Sequence, residues 1–233
     1  LALIHVGHER SMTIIQTPDA QSPEAPRKAR KNNPEKTRES ILQAAVTEFV
    51  LQGLSGARVD AIAERTQTSK RMIYYYFGSK EQLYLEVLEK LYGDIRHTEG
   101  NLHLAELEPV LGISRLVEFT FDHHDRNVDF VRIVCNENLH KGEYVKRSDA
   151  IRSMNKSVLM ALDELLQRGA GQGIFRQGLL AIDVHLLISS FCFYRVSNRH
   201  TVGELFQIDF NDTEVRQRHR QMICESVLRY LAA

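Results

Sequence analysis

Long hydrophobic runs are missing from this chain. No stretch approaches the ~18 unbroken apolar residues of a spanning helix, which argues against an integral membrane protein. Cysteine is scarce and scattered: three residues, Cys135, Cys192 and Cys224, with no CxxC pair and no even count. That disfavours a disulfide framework or a structural zinc site and fits a reducing, cytoplasmic compartment. Period-two alternation is absent, so no strand is predicted and the fold class is read as all-α. No Gly-rich phosphate loop, GxSxG or HExxH occurs, which argues against an enzyme and leaves no cofactor to place. Residues Leu1 to Val6 are apolar but are soon broken by His8, Glu9 and Arg10, too short for a secretory signal. Met12 is an alternative start.

What is present is an ordinary globular composition. The chain has 233 residues, 43% hydrophobic and 26% charged, enough for one or two domains with a real core. Net charge is zero but unevenly spread. Residues 27–80 hold 11 Lys and Arg against 5 Asp and Glu, a net of +6; residues 1–26 carry −2 and residues 81–233 carry −4. A basic segment joined to an acidic remainder is the footprint of a region that meets a polyanion. Residues 1–33, with Pro18, Pro23, Pro26 and the run Arg27-Lys28-Ala29-Arg30-Lys31, read as a disordered arm. The arm is either a solvated tail or a strap along a nucleic-acid backbone or minor groove.

From Pro34 onward the apolar spacing is helical. Ile41, Leu42, Ala45, Val46, Phe49 and Val50 recur at three and four residues and stop at Gly53 and Gly56. A short helix over about 59–66, a turn at Gln67-Thr68 and a helix over about 70–77 capped by Ser69 follow. Ser79-Lys80-Glu81-Gln82 is a capping box opening a longer helix. Three short helices over 34–80, the last two joined tightly, are helix-turn-helix geometry. Further helices are predicted at about 109–124, 127–140, 148–168, 181–199 and 212–231, with a glycine-rich break at Gly169, Gly171 and Gly173.

Within this frame stand Ile62-Ala63-Glu64-Arg65, Ser69-Lys70-Arg71-Met72-Ile73-Tyr74-Tyr75-Tyr76-Phe77 and Ser79-Lys80-Glu81-Gln82-Leu83. Over residues 37–88 the chain resembles the tetracycline-repressor (TetR) family of bacterial regulators. The resemblance implies a DNA-binding domain over 34–80. It also implies a helical effector-binding and dimerisation domain over 81–233. Such a protein is a repressor released from a palindromic operator by a small molecule.

The residue chemistry agrees. A recognition helix presents donors near its N-terminus to base edges, and Arg is the commonest reader of guanine. Lys70 and Arg71 sit there; Tyr74, Tyr75 and Tyr76 offer rings and hydroxyls to phosphates and thymine methyls. Arg58, Ser69, Met72 and Lys80 complete the candidate DNA-binding set. Phe77 and one tyrosine are expected to turn inward, with Tyr74 shared between the two roles. Three departures from the family pattern bear on which operator is read. Gln67 and Thr68 replace a glycine and a small aliphatic in the turn. Arg71 and Met72 replace small residues, and Arg58 replaces a threonine.

In the C-terminal region, polar residues interrupt apolar helical stripes at Thr120, His124, Asn138, Asn155 and Arg195. With Phe191, they form the candidate effector set, and the arginine favours an anionic oxygen on the ligand. Helices 181–199 and 212–231 carry Leu187, Tyr194, Met222, Ile223, Val227 and Tyr230 as the candidate homodimer interface. His123, His124 and His185 do not make a metal site, because neighbouring residues on a helix point ~100° apart. Two other readings stay open: a DNA-binding protein governed by a protein partner, and an enzyme or carrier retaining a relic helix-turn-helix.

Overall fold

The structure, a computed structural model, describes residues 33–233, so the basic run at 27–31 lies outside the described residues. Among the described residues ten α-helices follow one another: α1 (Pro34–Gly56), α2 (Val59–Thr66), α3 (Lys70–Phe77), α4 (Lys80–Gly100), α5 (Pro109–Arg126), α6 (Val128–Leu139), α7 (Asp149–Gly171), α8 (Ala181–Ser197), α9 (Arg199–Phe206) and α10 (Thr213–Leu231). No β-strand forms among the described residues; Phe175 and Ala232 make an isolated antiparallel bridge. No helix among them is long and apolar enough to cross a membrane.

α2, α3 and α4 close over the apolar stripe of α1. Ile41, Ala45 and Phe49 meet Ile62 of α2, Ile73 and Phe77 of α3, and Leu83, Tyr84, Val87 and Leu88 of α4. The same core continues into Ile133 of α6 and Ile151 of α7, so packing does not stop at residue 80. A second core joins α5, α7, α8 and α10 through residues such as Phe121, Leu165, Ile188 and Val227. α1 kinks at Gly53, whose φ of 64° is easily reached only without a Cβ. At the α7–α8 break the requirement is space: a Cβ on Gly169 would sit 2.1 Å from the Phe175 ring.

Two expectations change. The predicted helix over 181–199 stops at Ser197, and an unforeseen short helix, α9, follows directly. On α10, Ile223 and Val227 do not face a partner: they are 2% and 0% exposed, inside their own protomer's second core. The stripe that looked like an interface is two faces of one helix, the inner carrying Ile223 and Val227 and the outer carrying Met222.

Candidate functional site

The candidate reading helix is α3. Its N-cap Ser69 accepts a hydrogen bond from the Met72 N–H at 3.2 Å, satisfying one of the unpaired donors at the helix start. Ile73 and Phe77 turn into the core, which leaves Lys70, Arg71, Tyr74 and Tyr75 on the outer face. Tyr75 is 76% exposed. The tyrosine that turns partly inward is Tyr76, packed against the core, and not Tyr74 as its sequence position suggested. The spacing explains it: Tyr76 lies three residues from Ile73, on the buried side. Met72 is half-buried.

The turn before α3 is strained as its sequence implies. Gln67 adopts a left-handed conformation, φ 50° and ψ 37°, and the Thr68 N–H closes onto the Ala63 carbonyl at 3.0 Å. A non-glycine residue there costs on the order of 1 kcal/mol. Arg58 provides no side-chain cap to α2. Instead the buried Glu48 of α1 accepts the Arg58 N–H at 3.0 Å and pairs with Arg65 at 3.3 Å, tying α1 to both ends of α2. Glu48 escaped the sequence reading because it stands beside an apolar stripe and not within it.

Two basic groups flank α3 with weak internal ties. Lys70 pairs with Asp60 at 3.2 Å, both half-exposed, and Lys80 reaches the Ser55 carbonyl at 3.4 Å. Exposed pairs of this kind contribute ~0–1 kcal/mol, little enough for a phosphate to displace. Replacing Lys80 by Ala is expected to weaken binding to all DNA sequences alike and to flatten the salt dependence by about one unit for each half-site. An unchanged slope in a titration of salt against affinity would remove Lys80 from the phosphate contacts.

Away from α3, residues of α4, α5, α6, α7 and α8 line a cavity of about 310 Å³. Ile95, Leu116, Phe130, Val134, Ile151, Ile188 and Phe193 give it an apolar wall, and Thr120, His124 and Asn155 lie in that wall. Asn138, Phe191 and Arg195 do not. Asn138 is exposed at the end of α6 and bonds back to the Val134 carbonyl at 3.0 Å. Arg195 is buried, but its guanidinium pairs with Asp125 of α5 and donates to the Phe210 carbonyl at 2.7 Å. Arg216 of α10 joins the same Asp125 at 2.7 Å, so this arginine belongs to a network bracing α5, α8 and α10. Phe191 lies beside it, in a groove on the outer face of α8 with Tyr194 and Met222.

The sequence reading missed Tyr92, Arg96 and Glu99 of α4 and Ser189 of α8, which line the cavity. His185, weighed only as a metal ligand, lies in the wall as well. Arg96 and Glu99 interrupt the stripe through Leu91 and Ile95, the same signal that flagged Asn155, had it been sought on α4.

The imidazoles here are neutral. His124 Nδ1 stands 2.7 Å from the Thr120 carbonyl, which can only accept, so Nδ1 carries the proton and Nε2 is a bare acceptor. Burial pulls the His124 pKa down to about 4, with the Arg96 charge adding to the effect and the bond to Thr120 opposing it. Burial and Arg96 lower His185 in the same direction. Between the ordinary 6.5 and about 4, the unfolded chain therefore binds a proton at His124 that the folded chain does not. Stability is full above that window and is lost as pH falls through it, by on the order of 3 kcal/mol for this group. Denaturant midpoints measured from pH 7.5 to 4.5 should fall, and His124→Gln should make the decline shallower. A decline of unchanged slope in the variant would assign it elsewhere.

The arrangement is that of a helix-turn-helix regulator: a short helix with an outward basic and aromatic face, carried on a helical body that contains a small, mostly apolar cavity. Residues 41–87 match the family described as bacterial regulatory proteins, tetR family, and residues 109–227 match the tetracyclin repressor-like C-terminal domain. The HTH-type transcriptional repressor NicS of Pseudomonas putida is 34% identical over 197 residues, covering 84% of this chain and 93% of that protein. Among solved structures, a regulator described as putative, SCO4942 from Streptomyces coelicolor, superposes with a TM-score of 0.63 at 24% identity, covering 82% of this chain and 97% of that one. FadR from Bacillus subtilis in complex with stearoyl-CoA gives 0.63 at 18% identity, over 83% and 98%. The chain belongs to the TetR family and is a DNA-binding transcriptional regulator.

Proposed function

We propose that this regulator is a homodimeric repressor that holds a two-fold operator through α3 and releases it when a small molecule enters the cavity between α4 and α8. The observation that carries the reading is the position of α4. It begins three residues after the reading helix ends and presents Tyr92, Ile95, Arg96 and Glu99 to the cavity. A helix of 21 residues is a rigid rod of ~30 Å. A shift at its far end on ligand entry swings α3 at the near end. Two reading helices fit successive major grooves only at a spacing of ~34–36 Å, so a small swing in each protomer lowers operator affinity. The ligand's effect equals its difference in affinity for the two spacings. Asn136 of α6 donates to the Phe49 carbonyl of α1 at 3.4 Å, a second route from body to head.

The outer faces of α8 and α10 supply the joint between protomers. Tyr194 is 59% exposed and Met222 46%, and with Phe191 they line one apolar groove. Leu187 is half-buried against its own protomer's second core, and Tyr230, 43% exposed, has its own chain's Arg176 stacked 3.9 Å over one face of its ring. The division of labour at residue 80 is functional: residues 34–80 read DNA, and residues 81–233 bind the effector and pair the protomers. The cavity stands near the lower limit of ligand pockets, ~300–1,000 Å³, so the effector is small. The stearoyl-CoA of FadR belongs to a different size class.

The test begins with operator selection from random DNA, followed by a thermal-shift screen of metabolites, where a ligand at 100 times its dissociation constant adds ~2.7 kcal/mol. Compounds that stabilise the protein are expected to release the operator. Ser189→Phe, which fills the cavity, should keep operator affinity and abolish release. Release that survives the filled cavity, or stabilising compounds that never release DNA, would overturn the proposal.

A further inference from the structure

The identity of the cavity's polar groups narrows the effector's chemistry. Arg96 is largely buried, its side chain 12% exposed, and its guanidinium pairs through Nη1 with Glu99. Its Nε is buried and has no hydrogen-bond partner. An unmade hydrogen bond at a buried donor is costly, and far more so at a charged one. The Nε-bearing edge of a guanidinium is one of the forks that grip a carboxylate through two parallel N–H···O bonds. Glu99 engages Nη1 and leaves that edge open. Around it stand rings: Tyr92 and Phe130 meet edge to face at 5.3 Å, and Phe193 lines the same wall.

Accepting that the cavity is the effector site, we infer that it takes a small ring-bearing monocarboxylate, held by its carboxylate on the Nε edge of Arg96 with its ring among Tyr92, Phe130 and Phe193. The acceptor must be supplied by the ligand, because no side chain of the wall meets Arg96 Nε. A neutral acceptor would satisfy one N–H, whereas a carboxylate satisfies two and neutralises charge. Glu99 does not cancel the guanidinium's field: it adds to burial, the larger cause, in keeping protons off His124 and His185. A phosphate dianion fits less well: it carries a second charge toward Glu99 with no second cation in the wall. Ser189 and Asn155 are placed to bond ring substituents or the distal carboxylate oxygen. Arg195, the arginine singled out by sequence, lies outside this cavity, and although its Nε is likewise without a partner, both of its Nη groups are engaged, by Asp125 and by the Phe210 carbonyl, so it has no open fork.

The experiment uses the full chain and three matched pairs: benzoate with benzamide, phenylacetate with phenylacetamide, and 4-hydroxybenzoate with its amide. Binding is read by calorimetry and by the shift of the thermal midpoint. At least one carboxylate is expected to bind about tenfold or more tighter than its amide. Arg96→Gln should remove that preference without weakening the amide. Because Arg96→Gln leaves Glu99 buried without its cation, the double variant Arg96→Gln/Glu99→Gln is measured in parallel and should behave the same. If amides bind as well as carboxylates, or if both variants retain the preference, the carboxylate inference fails while the cavity remains the effector site. If none of the six compounds binds, the inference fails on its own terms. Whether the cavity is used at all is then decided separately by the Ser189→Phe variant.

Discussion

Tyr194→Asp is expected to yield a folded monomer whose operator affinity has dropped about a thousandfold or more. Specific complexes of such regulators lie ~10³–10⁷ tighter than non-specific ones, and the margin depends on two half-sites being held together. Tyr194 is 59% exposed in the single protomer and makes no contribution to its cores, so a carboxylate there costs the fold little. In a dimer it would be buried against a largely apolar face whose one arginine, Arg195, is already paired with Asp125, a penalty of several kcal/mol applied twice by the two-fold axis. Met222→Asp, across the same groove, should act alike. Val227→Asp is the contrasting case. Its side chain is fully buried among α5, α7, α8 and α10, so the charge is expected to abolish the cooperative unfolding transition altogether. Sedimentation and thermal unfolding on the three variants separate these outcomes. A Tyr194→Asp protein that remains dimeric at micromolar concentration would move the joint away from α8 and α10.

Val227 also shows where sequence reading reaches its limit. Its spacing with Ile223 marks an apolar stripe, but a stripe states only that something covers it, not whether that is the protomer or its copy. The DNA-reading part was legible because α1 and the two short helices after it share one compact arrangement: Ile41, Phe49, Ile62, Ile73 and Phe77 all lie in the first core. Tyr76 and Tyr74 were exchanged because four consecutive aromatics offer no period to read. In the body, Thr120, His124 and Asn155 reach one cavity from α5 and α7. Asn138 and Arg195 carried the same signature and ended elsewhere, one in solvent and one in an ion-pair network. A polar interruption identifies a buried or half-buried polar group; only the partner tells a brace from a ligand contact, since Arg195 has both Nη groups engaged, by Asp125 and the Phe210 carbonyl, whereas Arg96 has only Nη1 engaged, by Glu99. That partner lies 70 residues away in the first case, beyond any local pattern.

Arg71→Ala is expected to weaken binding to the cognate operator by ~1–3 kcal/mol for each half-site, a loss that the dimer makes twice. The loss should fall on one base pair. Arg71 lies in the first turn of α3, on the face shared with Lys70, Tyr74 and Tyr75 and opposite the buried Ile73. Unlike Lys70, which pairs with Asp60, it makes no ion pair among the described residues, so its fork is available without first breaking an internal bond. That placement, at the end of the helix that points into the groove, suits bidentate contact to O6 and N7 of a guanine. The measurement is a full base-substitution scan of one half-site with wild type and variant. In the wild type, one position should strongly prefer guanine; in Arg71→Ala that position alone should become indifferent while the others keep their ranking. Arg71→Lys retains the charge but not the fork, and should recover non-specific affinity without the preference. If Arg71→Ala instead lowers affinity evenly over every sequence and Arg71→Lys restores it in full, Arg71 is a phosphate contact. Base reading then passes to Lys70 and the tyrosines, and the departure of this helix from the family's small residues would mark affinity and not sequence choice.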